Sequence, residues 1–275
     1  MAEAVTTTGT ARIADAFAAA RSEGRAALMP YLMGGFPDAE GAVAVAGAYA
    51  DAGADLIELG IPFSDPLADG PVIHAAATAA LEAGATLDSA LEACAAVGER
   101  LPVVAMVYAN MILAGGAPEA FAARLAEAGA AGAIVPDLPL EEAESVRDAL
   151  EVQGLALVPL VAPTTPPERR RRICASAHGF VYLVSTVGVT GERERLPEEL
   201  SELIDHTRAE AGVPVGVGFG ISTSEQAAAI AAHADGIIIG SRLVRIVADA
   251  ASAADAAEGV SSFLREVRGA LGTRS

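Results

Sequence analysis

The stretch AGADLIELG, residues 52–60, carries the pattern that decides the fold: a turn of small residues that leads into a short apolar run. Similar turns, AGAAG at 128–132 and AHAD at 232–235, lead into the apolar runs GAIVP at 132–136 and DGIIIG at 235–240. Runs of nearly continuous apolar character are typical of parallel strands that are buried on both faces. Their recurrence after one kind of turn indicates repeated β–α units.

Eight such runs occur along the chain, separated by stretches that are long enough for crossover helices. The runs are Ala26–Leu32, Asp55–Gly60, Pro102–Val107, Gly132–Pro136, Leu155–Leu160, Gly179–Ser185, Val213–Gly218 and Asp235–Gly240. The helical stretches are Ala39–Ala52, Pro71–Gly84, Leu87–Arg100, Pro118–Ala128, Leu140–Gln153, Pro167–Ala177, Pro197–Ala211 and Ser224–Ala232.

This α/β pattern predicts a closed (β/α)8 TIM barrel, with Arg12–Glu23 as an extra N-terminal helix that covers its bottom. An open doubly wound sheet is the alternative, but eight evenly spaced units need no edge strands. We expect one domain over residues 1–275, with the barrel core at about 26–250. In such barrels the chemistry lies at the carboxyl ends of the strands and in the loops that follow them.

Composition excludes several classes of protein. The 275 residues include 36 acidic and 18 basic side chains, every basic one an arginine, for a net charge of −18. Because there is no lysine, the chain alone cannot form a Schiff-base aldolase, a pyridoxal-phosphate enzyme or a Walker-type phosphate loop. The negative charge argues against nucleic acids and anionic membranes as partners, since both are bound through clustered cations.

The two cysteines, Cys94 and Cys174, are too few for a disulfide framework and indicate buried thiols in a reducing compartment. No apolar run approaches the roughly 18 residues that a membrane span needs. The N-terminus lacks the basic start and apolar stretch of a signal peptide, so we expect a cytoplasmic protein. The four histidines have no metal-binding spacing, and we therefore expect no metal site.

Glu58 lies inside the second predicted strand, between Ile57 and Leu59. A carboxylate in a covered strand is costly to bury unless it is paired or protonated, and apolar surroundings raise its pKa toward neutrality. Such a group suits general acid–base catalysis. The alternative is a structural Glu58 that pairs with an arginine on a covering helix.

The loop IPFSDPLADGP, residues 61–71, follows this strand and holds Asp65 and Asp69 among three prolines that stiffen it. Asp69 precedes Gly70-Pro71, a plausible helix start, so a capping role is the alternative to a functional one. A strand-end carboxylate and a loop carboxylate can face one cavity. Glu58 and Asp69 are then two acids in unlike settings, which can take different protonation states and roles.

Glycines follow the last three predicted strands, in GVTG (188–191), GVGFGIS (216–222) and GS (240–241). Glycine lets backbone N–H groups approach a ligand closely, and the N-termini of the following helices favour an anion. The loops after strands seven and eight are the usual phosphate site of a barrel. We therefore expect phosphate binding there, with the 188–191 segment as a lid.

The few aromatic residues also cluster at strand ends. Tyr31, Tyr108, Tyr182 and Phe219 each lie at or just after one, which indicates a flat apolar substrate near the barrel mouth. The run Arg169–Arg172 is interpreted as a solvated helix face, with a partner contact as the alternative.

Five segments together resemble one known family, the tryptophan synthase alpha subunit. They are ELGIPFSDPLADGP (58–71), YAN (108–110), YLVSTVGVTG (182–191), GFGIS (218–222) and GS (240–241). The similarity runs in order from about Arg12 to Arg268, and the IPFSDPLADGP loop is its most specific part.

The resemblance implies a carbon–carbon lyase of tryptophan biosynthesis, which cleaves indole-3-glycerol phosphate to indole and glyceraldehyde 3-phosphate. This retro-aldol reaction uses neither a metal nor a Schiff base. Glu58 would protonate the indole ring and then help to deprotonate the glycerol hydroxyl. Asp69 would bind the indole N–H, and Thr190 in the lid would order Asp69.

The resemblance also assigns the remaining contacts with the substrate and a partner. Gly191, Gly220, Gly240 and Ser241 would hold the phosphate, and Tyr31, Ile73, Tyr108, Tyr182 and Phe219 would line the indole pocket. The chain itself would need no cofactor. Its partner would be a pyridoxal-phosphate beta subunit, in an alpha2beta2 complex that receives the indole.

Other functions remain open at this point. Sugar-phosphate isomerases and epimerases use paired carboxylates over the same phosphate site, and a barrel kept only as a binding scaffold would need neither acid. A stand-alone lyase that releases free indole is equally compatible with the motifs. Indole-glycerol-phosphate synthase, a neighbouring barrel enzyme, relies on a lysine and is excluded.

Overall fold

The computed structural model describes residues 7–114, 117–185, 197–218 and 220–272. Within this part of the chain nine parallel strands form one sheet. They are β1 (Ala27–Met33), β2 (Ile57–Gly60), β3 (Val103–Met106), β4 (Gly132–Ile134), β5 (Ala156–Val158), β6 (Leu160–Val161), β7 (Val181–Val184), β8 (Val215–Gly218) and β9 (Gly236–Ile239). Each lies within or overlaps one of the eight predicted runs, and the barrel prediction is confirmed.

The prediction of a single fifth strand is wrong, because Pro159 divides it into β5 and β6. β5 pairs with β4, and β6 pairs with β7. Pro159 has no N–H to donate to the sheet, and the strand is interrupted at this residue. The Pro159 carbonyl still accepts a hydrogen bond from the Tyr182 N–H at 3.0 Å. The hydrogen-bonded order β5-β4-β3-β2-β1-β9-β8-β7-β6 thus returns to its start through this one residue.

Many of the helices that surround the strands begin at a side-chain cap or a proline. They are α1 (Gly9–Ser22), α2 (Ala39–Asp51), α3 (Pro71–Glu82), α4 (Leu87–Val97), α5 (Ala109–Leu113), α6 (Pro118–Glu127), α7 (Glu144–Val152), α8 (Pro167–Ala175), α9 (Glu198–Glu210), α10 (Ser224–Ala231), α11 (Ser241–Asp249) and α12 (Ala253–Ala270). Proline occupies the first turn of α3, α6 and α8, where its missing N–H costs nothing.

The observed helices differ from the predicted helical stretches at four places. A 3-10 turn, Leu140–Glu142, precedes α7, so 140–153 is not one helix. The short helix α5 follows β3 directly and offers too few residues for a helical period. Helices α11 and α12 follow the last predicted helical stretch, Ser224–Ala232, and were not predicted.

Helix α1 covers the bottom of the barrel, as expected. Its Ile13 and Phe17 are 0% and 2% exposed and pack into the interior cluster together with Ile134, Val158 and Phe180. The Phe17 and Phe180 ring centroids lie 5.6 Å apart. The interior is thus filled from below with side chains, and space for a ligand remains only at the top.

The aspartates of the repeated turns fasten this lower end. Asp55 accepts hydrogen bonds from both terminal nitrogens of Arg25, at 2.6 and 2.8 Å, and from the Leu28 N–H. Asp235 accepts hydrogen bonds from Nε and one terminal nitrogen of Arg208, at 3.2 and 3.1 Å, and from the Val215 N–H. Each carboxylate thereby joins an arginine to the start of a neighbouring strand.

The arginine run on α8 is not a solvated face throughout, so that interpretation is corrected. Arg170 is 7% exposed and makes two hydrogen bonds to Glu210 of α9, at 2.7 and 3.0 Å. Arg169 and Arg172 pair with Glu141 in the 3-10 turn. The run ties three successive parts of the outer layer to one another.

Cys94 and Cys174 are free and buried, as predicted. None of the helices described here has the length and apolar character needed to cross a membrane.

Candidate active site

A cavity of about 200 Å³ opens at the carboxyl ends of the strands. Its wall combines two carboxylates with apolar and glycine residues from strands and loops around the barrel. The lining residues are Tyr31, Glu58, Ala68, Asp69, Gly70, Ile73, Met106, Pro136, Leu160, Tyr182, Val184, Gly218, Gly220, Ile238, Gly240 and Ser241. The described lining contains no arginine, although all 18 basic side chains of the protein are arginines.

Glu58 projects from β2 into this cavity, while its neighbours Ile57 and Leu59 pack into the outer apolar layer. Its side chain is 1% exposed. Oε2 accepts a 3.4 Å hydrogen bond from the Tyr182 hydroxyl, and Oε1 has no partner among the described groups. The predicted alternative, a pair with an arginine, is therefore wrong.

Burial without a cation determines the protonation state of Glu58. The pKa of Glu58 is raised to about 8: desolvation has the largest effect, the hydrogen bond from Tyr182 acts to lower the pKa, and the nearby charge of Asp69 acts to raise it. At neutral pH the side chain therefore holds its proton. A buried, protonated carboxyl at the wall of a cavity is able to act as a general acid.

Asp69 reaches the same cavity from the loop between β2 and α3. It does not cap α3, since Gly70 holds the cap position and makes no side-chain cap bond. Oδ1 instead accepts a 3.0 Å hydrogen bond from the Tyr108 hydroxyl. Burial raises the pKa of Asp69, whereas Tyr108 and the charge of His74 act to lower it. Asp65, the other loop candidate, is exposed and does not line the cavity.

Two glycines leave room for the hydroxyls of Tyr31 and Tyr182, a role that was not predicted from the sequence. A Cβ atom at Gly60 would lie 1.9 Å from the Tyr31 hydroxyl, and one at Gly218 would lie 2.5 Å from that of Tyr182. Each of these glycines ends a predicted apolar run, and this pattern could have indicated the role. At Gly218 we interpreted it as room for a ligand. The close approach of a ring places both phenols beside the carboxylates.

The expected phosphate residues lie on one side of the cavity. Gly220 follows β8, and Gly240 and Ser241 form the N-terminus of α11. This helix begins without a side-chain cap, so its first N–H groups face the cavity mouth without a side-chain partner. A helix N-terminus of this kind stabilises an anion through its N–H groups and its dipole.

The structure brings together most, but not all, of the predicted site residues. Tyr31, Ile73 and Tyr182 line the cavity beside the two acids and the phosphate loops, whereas Tyr108 lies behind Asp69 and is absent from the lining. Thr190, Gly191 and Phe219 lie outside the described residues. Among the residues that are described, no group of three histidine, cysteine or acidic side chains is placed to hold a metal ion.

Comparison with known proteins adds an independent observation. The family model described as "Tryptophan synthase alpha chain" matches residues 17–270. The tryptophan synthase alpha chain of Synechococcus sp. (strain CC9902) is 48% identical over 93% of this chain and 96% of its own length. That of Gloeobacter violaceus is 49% identical, over 87% and 88%.

The chain belongs to the tryptophan synthase alpha chain family. A solved structure agrees with this assignment: a chain of Mycobacterium tuberculosis tryptophan synthase superposes with a TM-score of 0.87 at 38% identity, covering 95% of this chain and 98% of that one. The match to the alpha chain family, 17–270, includes every candidate site residue from Tyr31 to Ser241. The resemblance drawn from the loop motifs is confirmed.

Proposed function

We propose that Glu58 and Asp69 are the catalytic pair with which this chain cleaves indole-3-glycerol phosphate to indole and glyceraldehyde 3-phosphate. The chain is a lyase of tryptophan biosynthesis, as its family membership shows. One observation carries the assignment of the pair. Two carboxylates face one cavity, the first fully buried and protonated, the second half-buried and hydrogen-bonded by a phenol.

The first step uses the proton that Glu58 holds at neutral pH. Glu58 donates it to the ring carbon that bears the glycerol phosphate chain, which converts the indole to a cationic indolenine. Asp69, as a carboxylate, accepts a hydrogen bond from the indole N–H and stabilises the positive charge of the indolenine. The different protonation states of the two acids follow from their different burial.

The second step breaks the carbon–carbon bond. The Glu58 carboxylate, now without its proton, takes the proton of the glycerol hydroxyl next to the ring. The O–H electrons form the aldehyde carbonyl, and the electrons of the broken bond return to the ring and neutralise the indolenine. Glu58 is protonated again at the end, so one side chain serves as acid and then as base.

The rest of the cavity holds the two ends of the substrate. Gly220, Gly240, Ser241 and the N-terminus of α11 bind the phosphate through backbone N–H groups, with Gly191 completing the site. Tyr31, Ile73, Tyr182 and Phe219 enclose the indole ring, and Thr190 orders Asp69 from the lid. An overall charge of −18 makes such local binding necessary, since the field of the protein repels a phosphate.

We also propose a beta subunit as the partner, in an alpha2beta2 complex, with pyridoxal phosphate on that subunit alone. Two large apolar side chains on the rim support this. Leu67, next to Ala68 in the site loop, is 85% exposed, and Leu113 at the end of α5 is 47% exposed. Exposed apolar groups beside an active site favour a protein partner. The buried thiols support a reducing, cytoplasmic location.

The test is indole release from indole-3-glycerol phosphate by the purified chain, with and without a beta subunit. Release in either condition, abolished in Glu58→Gln, is the expected result. No release even with a beta subunit present would reject the proposal. A rate that rises strongly with beta indicates coupling between the subunits, whereas an equal, high rate in both conditions indicates a stand-alone lyase.

A further inference from the structure

Tyr108 contacts the loop between β2 and α3 at three points. Its hydroxyl accepts a hydrogen bond from the Ala68 N–H at 3.0 Å and donates one to Asp69 Oδ1 at 3.0 Å. Its ring stacks on Phe63, with centroids 5.2 Å apart and planes 26° from parallel. The side chain is 3% exposed. One buried residue therefore holds both the backbone and the carboxylate of this loop.

The direction of these bonds restricts Asp69. The phenol has one proton, and because the Ala68 N–H occupies an acceptor site of the oxygen, that proton is directed to Oδ1. The ionised form of Asp69 is the one that gains from this bond, since a hydrogen bond to a charged acceptor is stronger than one to a neutral acceptor. Among the described residues, none donates a hydrogen bond to Oδ2.

A second loop supports Tyr108 in turn. Asp137, which follows β4, accepts a 2.8 Å hydrogen bond from the Ala109 N–H with its Oδ1. Tyr108 holds the cap position of α5 and provides no side-chain cap of its own, so Asp137 satisfies the first N–H of this helix from outside. The loops after β2, β3 and β4 are thus joined in the order Asp69, Tyr108, Asp137.

We propose that Tyr108 is a positioning residue that fixes the orientation and the charged state of Asp69, with Asp137 as its support, rather than a wall of the indole pocket. The proposal rests on the catalytic pair argued above. It accounts for the position of Tyr108 behind Asp69 and outside the cavity lining. It also gives the YAN motif at 108–110 a role that its sequence alone did not indicate.

The pH dependence of turnover distinguishes positioning from simple packing. Asp69 must be ionised and Glu58 protonated, so activity is lost below the pKa of Asp69 and above that of Glu58. The described groups that act electrostatically on or with Asp69 come from several elements: Glu58 of β2, Tyr31 of β1, Tyr182 of β7, His74 of α3 and Tyr108 itself. Only Tyr108 donates a hydrogen bond to Asp69 among the described residues.

The experiment is the pH profile of kcat for Tyr108→Phe, which keeps the ring on Phe63 and removes both hydroxyl bonds. Loss of a hydrogen bond to a charged group predicts a kcat at neutral pH that is lower by about ten- to a hundred-fold. The acid limb is expected to move to higher pH while the limb due to Glu58 stays in place. KM is expected to change little, since the phosphate contacts remain.

Three variants serve as comparisons. Asp137→Ala removes the support and is expected to shift the acid limb in the same direction by less, whereas Asp137→Asn keeps an acceptor for Ala109 and is expected to behave as wild type. Tyr49→Phe deletes another buried hydroxyl, which donates to the Tyr31 carbonyl at 2.9 Å, and touches neither acid. It is expected to leave both limbs unmoved.

A Tyr108→Phe profile that is unchanged, or lowered equally at every pH, would overturn the proposal, as would an unmoved acid limb in Asp137→Ala. If Tyr108→Phe does not fold, Asp137→Ala decides alone. Failure of the proposed function is a separate result, because in that case the wild-type chain releases no indole at any pH.

Discussion

Asp55 and Glu58 are three residues apart on the same length of chain, and their surroundings are opposite. Asp55, at the entry to β2, meets Arg25 through two hydrogen bonds and also accepts the Leu28 N–H. Glu58, inside the strand, has one 3.4 Å contact with Tyr182 and an oxygen without a described partner. One strand thus carries a neutralised carboxylate at the bottom of the barrel and an uncompensated one at the top.

The difference separates a structural acid from the proposed catalytic acid of this protein. A buried carboxylate beside an arginine stays charged and stabilises the fold, whereas one without a cation holds its proton. At the barrel bottom Arg25 and Arg208 face Asp55 and Asp235, and no arginine lines the described cavity. Proton transfer at the top requires that the cations stay away from it.

The largest effect on kcat is expected when Glu58 can no longer donate or accept a proton. Glu58→Gln retains shape but neither donates a proton to carbon nor accepts one from a hydroxyl, so kcat is expected to fall by about a thousand-fold or more. Binding of substrate is expected to persist, because the phosphate and indole contacts remain. Single-turnover indole release and a binding titration measure the two quantities. A variant that turns over normally would contradict the assignment.

Replacing Arg25, the cation that faces Asp55, tests the structural role of the ion pair at the bottom of the barrel. Arg25→Met leaves Asp55 buried without its partner and is expected to lower the free energy of unfolding by about 3 kcal/mol, measured by urea denaturation. The kcat of the folded enzyme is expected to stay near wild type.

Arg124→Met is the matched control for this change, because it breaks an exposed ion pair with Asp88. Its expected effect on the free energy of unfolding is within about 1 kcal/mol. Equal losses in the two variants would show that burial does not distinguish the pairs.

The raised pKa of Glu58 also makes stability depend on pH. The pKa is about 8 in the folded chain and 4.5 ordinarily, so between these values the folded chain keeps a proton that the unfolded chain releases. This contribution is complete below pH 4.5 and is lost as pH rises to about 8, at roughly 1.4 kcal/mol per pH unit.

Glu58→Gln removes this titration. Its free energy of unfolding is expected to rise relative to wild type across the same pH window, with a constant difference at lower pH. Urea denaturation of both proteins from pH 4 to pH 8 measures the difference, and a difference that stays constant throughout would contradict the protonated state of Glu58.

The smallest effect is expected at the hydrogen bond between Tyr182 and the Glu58 side chain. Tyr182→Phe removes a donor that lowers the pKa of this carboxyl, so the pKa rises and the alkaline limb of kcat moves to higher pH. The kcat at neutral pH is expected to change little, because Glu58 is already protonated there. A shift of the limb to lower pH would show that Tyr182 stabilises the neutral acid instead.

The sequence was informative where a property is local or repeated. The eight apolar runs predicted the barrel because each parallel strand is buried on both faces. The proposed catalytic acid was visible because a glutamate interrupts one of them. The break at Pro159 was not predicted, since Pro159 lies inside an apolar run and only the pairing of neighbouring strands shows that the sheet is interrupted at this proline.

The sequence alone determined the fold class, the family and the two acids, because these depend on residue type, periodicity and a specific loop motif. Only the tertiary structure decided what each charge faces. It placed Arg25 against Asp55 and no described cation against Glu58, and it directed the Tyr108 hydroxyl at Asp69 rather than at the cavity. The two pairs, Arg25 with Asp55 and Tyr108 with Asp69, are separated by 30 and 39 positions in the sequence. The solvation and charge of a site depend on such distant neighbours, which a linear pattern does not specify.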